Sequence, residues 1–258
     1  MKLPFDTVYV LTLPSYRNRY TFMYRQLKDL DIKFRIIFGT DFGNMKNDSV
    51  NNLITYPNVW EYNTTTSGKD FSCTILHYDA VYQAYELGYN SILIMEDDIC
   101  FKKDKNLIEH CFNNIPKDAD FITYDPRFYF DNDFKQFKND INNTNDLYFR
   151  DNGQYQSMFG GMLYAIMNRQ TMQLYLENQR KNLVMSDHVR GLFMNVSVNK
   201  YVATKCICTD QYNIKTNFDV YKAYRNNYKD KEILNISDFY IPENFHEFER
   251  YVPKNINN

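Results

Sequence analysis

The chain has 258 residues and is 44% hydrophobic, enough to bury one large core or two small ones. Its net charge of -2, with both signs spread along the sequence, argues against a general nucleic-acid binder, which would show a basic face. The N-terminus MKLPFDTVYVLTLP carries no cleavable signal pattern, and no apolar stretch approaches the ~20 residues of a membrane span, so a soluble, cytoplasmic protein without a transmembrane segment is expected.

In chain order, Val8 to Leu13 (VYVLTL) reads as a buried strand stopped by Pro14, with Ser15 placed to cap a helix running to about Leu30. Phe34 to Phe38 (FRIIF) is a second strand, ended by Gly39, and the two make a βαβ opening typical of a parallel α/β sheet. Asp41 to Ser67 dissolves into Asn, Thr and Ser and reads as an irregular excursion. From Lys69 to Leu87, Leu76, Ala80, Ala84 and Leu87 share one helical face, and Gly88 closes the helix.

The next stretch, SILIMEDDIC from Ser91 to Cys100, runs a buried strand into three consecutive carboxylates. Beyond it, Lys105 to Asn113 predicts a short helix and Phe121 to Tyr124 a strand, while Asp125 to Asp151 reads as a long functional loop. Then follow Gly160-Gly161, a strand over Met162 to Ile166, a helix from Asn168 to about Asn178, and a late strand, Tyr201 to Cys208, leading into Asp210. Cys73, Cys100, Cys111, Cys206 and Cys208 form no CxxC pair, and an odd count of this kind suits a reducing compartment. Cys206 and Cys208, alternating along that late strand, should face opposite ways.

Glu96, Asp97 and Asp98 fall at the carboxyl end of a buried strand, where open α/β sheets bind ligands. Crowded acids repel one another unless something positive neutralises them, and a divalent cation held by oxygen ligands is the obvious candidate. Alternation along an extended backbone would put Glu96 and Asp98 on one side and Asp97 on the other. Taken alone, EDD reads more readily as a solvated turn after a core strand than as a cation site.

Four blocks change that balance. VYVLTLPSYRNRYTFM, FRIIFGTDF, GKDFSCTILHYDAVYQAYELGYNSILIMEDDICF and GGMLYAIMNRQTMQLYL with the following VMSDH together resemble glycosyltransferase family 25, the lipopolysaccharide β-galactosyltransferases and their collagen-modifying relatives. The chain departs from the family at Thr12, where Asn is usual, at Leu76, where Ser is usual, and at Asn168, where Ser is typical.

The resemblance implies a GT-A fold: a Rossmann-like mixed central sheet flanked by helices, in one domain over residues 1–253. About 1–124 would form the nucleotide-sugar half and about 125–253 the acceptor half, with 254–258 a tail. It further implies a UDP-sugar donor, Mn2+ or Mg2+, and transfer of a hexose with inversion to a glycan or glycosylated protein. Carried onto this sequence, Asp98 is the direct metal ligand, with Glu96 as a ribose or metal-shell contact and Asp97 beside it. Thr12, Arg19, Gly39, Asp41 and His77 fall at donor-binding positions, although a lone helical histidine such as His77 reads equally as a packing residue. Asp210 is either a third metal ligand or an ordinary turn residue. Asp187 is either the base that deprotonates the acceptor or a helix N-cap.

Overall fold

The computed structural model describes residues 1–43, 68–128, 131–155, 158–181, 183–184, 189–190, 193, 197–210 and 236–241. Its centre is a seven-stranded mixed sheet. Strand β1 (Thr7–Thr12) is buried along its whole length and lies between β2 (Arg35–Phe38) and β3 (Ile92–Glu96), parallel to both. Next to β3, β9 (Leu163–Ile166) runs antiparallel and joins it to β5 (Phe121–Thr123). Strand β10 (Lys200–Ala203) is parallel to β5, and β7 (Tyr148–Asp151) closes the edge antiparallel to it. The carboxyl ends of β1, β2, β3, β5 and β10 therefore share one edge of the sheet.

Alternation along the central strands feeds two cores. Val8, Val10, Leu93 and Met95 face helix α1 (Arg17–Asp29), which contributes Met23 and Leu27, and α3 (Lys105–Asn113), which contributes Ile108 and Phe112. Tyr9, Leu11, Ile92 and Ile94 face α2 (Gly68–Glu86) and α5 (Arg169–Lys181), through Leu76, Ala80, Met172 and Leu176. Helices on both faces explain why β1 and β3 are apolar without a polar side. Gly88 adopts φ 80° just beyond α2, the left-handed conformation that ends a helix without a side-chain clash.

Three expectations from the sequence need correction. Ser15 does not cap α1: Tyr16 precedes the first turn and no side chain caps it. The segment from Asp125 to Asp151 is not a long loop. It holds α4 (Asp131–Asn142), which buries Phe134, Phe137 and Ile141 against Tyr155, Met158 and Val202, and the edge strand β7. A short strand β6 (Arg127–Phe128) within it pairs with β8 (Met158–Phe159).

The late strand is likewise two strands: β10 ends at Ala203, and β11 (Cys208–Asp210) leaves the main sheet to pair with β4 (Ile99–Phe101). Cys206 precedes β11, so strand alternation does not govern this pair, and both thiols are buried. Buried Gln26 of α1 takes the place of a further strand along β4, donating to the Ile99 carbonyl and accepting from the Phe101 amide. Among the described residues no helix is long and apolar enough to cross a membrane, and none of the five cysteines is joined in a disulfide.

Candidate active site

Strand β3 stops at Glu96, and Asp97-Asp98 form the turn into β4. That turn breaks the extended alternation, so the acids are not distributed as a continuous strand would place them. Asp97 and Asp98 turn toward α1, where Arg19 Nη1 lies 3.1 Å from Asp97 Oδ1 and 3.8 Å from Asp98 Oδ2. Glu96 instead faces α2: its Oε1 is 3.1 Å from His77 Nε2 and 3.4 Å from Cys73 Sγ. The crowded charge is thus divided, and Arg19 supplies the first positive partner.

Asp97 is the deeply buried member of the three, and Thr12 donates to its Oδ2 at 2.5 Å from the carboxyl end of β1. Burial pushes its carboxyl above the ordinary range, against the opposing pull of Arg19 and Thr12. Burial acts against the Arg19 charge as well, but Asp98 and Asp97 outweigh it and hold the guanidinium firmly protonated. Thr12, where the family usually has Asn, therefore spends its hydroxyl on a structural carboxylate. Arg17 and Arg25, flanking Arg19 on the same helix, are exposed.

The Arg19 guanidinium also lies over the Tyr16 ring, 4.7 Å from its centroid, and Lys69 Nζ is 5.7 Å from the same ring. Two cations from the starts of α1 and α2 thus share the Tyr16 ring, and Arg19 reaches from it to the acids.

On the α2 side, His77 is fully buried and its Nδ1 is 3.0 Å from the Tyr164 hydroxyl on β9, with the two rings stacked at 5.6 Å. Leu76, in place of the family's Ser, belongs to the apolar core, and a Cβ on Gly39 would come within 3.0 Å of it. Gly39 itself continues β2, its amide donating to the Thr12 carbonyl at 2.9 Å. Asp41 turns back on its own loop, accepting from the Gly43 amide, and the next residue is tied to α2 by the Ser72 hydroxyl at 2.7 Å from the Phe42 amide. Gly68 is required here, since a Cβ would fall 1.9 Å from the Phe42 carbonyl oxygen.

Thr12, Arg19, Gly39, His77, Glu96, Asp97 and Asp98 thus gather at the shared carboxyl edge of β1, β2 and β3, with Asp41 on the adjoining loop. The backbone of Asp210 lies there too, because β11 pairs it with Ile99, the residue after Asp98. Asp187 lies outside the described residues, as do Ser186 and His188. Asn168, at the third departure, caps α5 by accepting from the Thr171 amide at 2.8 Å, the role a Ser would fill equally well. Sequence reasoning gave no part to Cys73, Tyr16 or Tyr164. The four-residue spacing of Cys73 and His77 on a helix was the available signal for the first.

Two solved structures resemble the chain at low identity. The protein A197 from STIV is 11% identical, covering 76% of this chain and 80% of its own, with a TM-score of 0.34. Mannose-1-phosphate geranyltransferase from Thermus thermophilus is 7% identical, covering 76% of this chain and 72% of its own, with a TM-score of 0.38. No curated protein matches the chain. The model of glycosyltransferase family 25, described as LPS biosynthesis protein, matches residues 5–205. That span takes in β1 through β10 and every acid of the EDD turn, and the chain belongs to glycosyltransferase family 25.

Proposed function

We propose that the protein is a metal-dependent, inverting hexosyltransferase that moves galactose, or secondarily glucose, from a UDP-sugar to a hydroxyl of a glycan or glycosylated protein, and that it acts in the cytoplasm. The observation that carries this reading is the meeting of the EDD turn with Arg19 at the carboxyl edge of three parallel strands, with Lys69 5.7 Å from the Tyr16 ring that Arg19 also contacts. Cations and a metal-competent carboxylate side by side are what a nucleotide diphosphate requires.

Asp98, in the turn before β4, is a hard oxygen donor of the kind that fits Mn2+ or Mg2+, and Asp210 is assigned to the same shell because its backbone pairs with Ile99, the residue after Asp98. A divalent cation held there supplies Lewis-acid stabilisation of the charge on a departing diphosphate. Asp98 is the direct ligand, Glu96 a ribose or metal-shell contact, and Arg19 a phosphate contact kept in place by Asp97. Gly39, Asp41, Thr12 and His77 shape the nucleoside side of the same edge. Inversion requires a base that takes the acceptor proton as its oxygen bonds to the anomeric carbon and the bond to the diphosphate breaks on the opposite face. Asp187 is assigned that proton.

The test is Mn2+-dependent release of UDP from UDP-galactose by the purified chain, abolished by Asp98→Ala in a protein that still folds. Thermal stabilisation by the nucleotide sugar without turnover would instead identify a silent binding module. Free phosphate in place of UDP would identify a phosphohydrolase. Asp187→Asn should keep donor binding and lose transfer; equal loss of both would make Asp187 structural.

A further inference from the structure

Apart from the hard-oxygen set at Asp98, the structure gathers a second group of donors of different chemistry. Cys73, His77 and Glu96 bring one ligand atom each to within 4.8 Å of one another. Cys73 and His77 are four residues apart on α2 and so project from the same helical face. Glu96 meets them from the end of β3, with Oε1 3.4 Å from the thiol sulfur and 3.1 Å from the imidazole nitrogen.

A tetrahedral ion with bonds of about 2.0–2.3 Å separates its ligands by about 3.3–3.8 Å, so the contraction needed here is at most about 1–1.5 Å. The outer shell has the form such sites take. Tyr164 holds the far nitrogen of His77 at 3.0 Å and stacks on its ring, fixing the orientation in which Nε2 faces Cys73 and Glu96. The Tyr164 hydroxyl is in turn hydrogen-bonded to Tyr175, whose hydroxyl accepts from Gln179 at 3.4 Å.

We propose that Cys73, His77 and Glu96 form a binding site for a thiophilic divalent cation of the Zn2+ class, which takes Glu96 as its own ligand in place of a part in the hard-cation shell and leaves that position to Asp98. A thiolate and an imidazole select this class over Mn2+ or Mg2+. Charge balance favours the same assignment. Binding releases the Cys73 proton to solvent, and the thiolate and the Glu96 carboxylate then cancel the divalent charge around a neutral His77. A site without net charge is the kind that a fully buried imidazole tolerates. Three protein ligands leave a fourth position for water, as in open zinc sites rather than closed structural ones. Occupancy would clamp α2 to the end of β3.

Co2+ serves as the spectroscopic probe, added to tag-free protein stripped of metal and kept reduced. One equivalent should produce a thiolate-to-cobalt charge-transfer band, which excess Zn2+ removes and excess Mg2+ does not. Cys73→Ser should lose the band and weaken Zn2+ binding at least tenfold, whereas Cys100→Ser and Asp98→Asn should keep both. A wild type without the band, or a band that survives Cys73→Ser, overturns the assignment. So does a band lost equally in Asp98→Asn, which would merge the two cation positions. Should Cys73→Ser fail to fold by circular dichroism, alkylation of the wild type decides. Zn2+ must then protect Cys73 from iodoacetamide in peptide mapping, and unchanged labelling overturns the proposal. None of these readouts depends on glycosyl transfer, so failure of the metal site and failure of the proposed reaction are distinguishable.

Discussion

Arg19 shows how one side chain can serve the fold and the site together. Its ion pair with Asp97 is almost wholly out of solvent, with side-chain exposures of 14% and 7%, and Thr12 completes the carboxylate's shell. Removing one partner of such a pair strands the other charge at a cost of roughly 3–5 kcal/mol. Arg19→Met should therefore lower unfolding stability by about that amount in urea titrations. Adding Asp97→Asn should recover part of the loss, a coupling that two independent surface changes would not show.

The cysteines differ in the same residue-by-residue way. Burial raises the Cys111 thiol from an ordinary value of 9.0 to about 11, which cuts its thiolate fraction near neutral pH about a hundredfold. Only as pH rises toward that value does the reactive form appear. In native protein at pH 8, Cys111 should resist iodoacetamide until urea unfolds the chain, as peptide mapping would reveal.

Among the secondary-structure elements, legibility followed the origin of each element's stability. Strands β1 and β3 and helix α2 could be read because their hydrophobic patterns are local and unbroken, and the carboxyl edge that gathers the candidate site came with them. The helix α4 was legible and missed: Phe134, Phe137 and Ile141 recur at helical spacing, but the polar residues between them dominated the reading. Strand β4 could not have been found the same way. Three residues long, it exists because Gln26 and β11 satisfy its backbone, and those partners lie far along the chain. The turn at Asp97-Asp98 has a similar origin, which is why simple alternation misplaced Asp98. Since Phe137 is fully buried in a small core of its own, Phe137→Ala should cost about 3–5 kcal/mol. Faster amide exchange confined to α4, β7 and β10 would mark that core as a local unit.

At the scale of the whole molecule, one sheet carries strands from both halves of the sequence, with β3 and β9 adjacent at its centre. A ligand held at the carboxyl edge therefore bridges α1, α2 and the β3–β4 turn, elements that feed both cores. Binding to the folded state alone stabilises it by about 2.7 kcal/mol at a hundred times the dissociation constant. In a chain of this length, where 1 kcal/mol moves the melting temperature by about 2–4 °C, that corresponds to a rise of about 5–11 °C. UDP with Mn2+ should produce such a rise, and UDP or Mn2+ alone a smaller one, because in the proposed donor site Arg19 would meet the phosphates while Asp98 would need the cation to do so. Asp98→Asn should remove the metal-dependent increment but keep that of UDP alone. Arg19→Lys, which retains the charge but loses the planar guanidinium whose Nη1 approaches both Asp97 and Asp98, should reduce both. Thermal shift across UDP-galactose, UDP-glucose and UDP, each with and without Mn2+, measures all of these increments together. Equal shifts with and without metal in every variant would place the nucleotide somewhere other than the EDD turn.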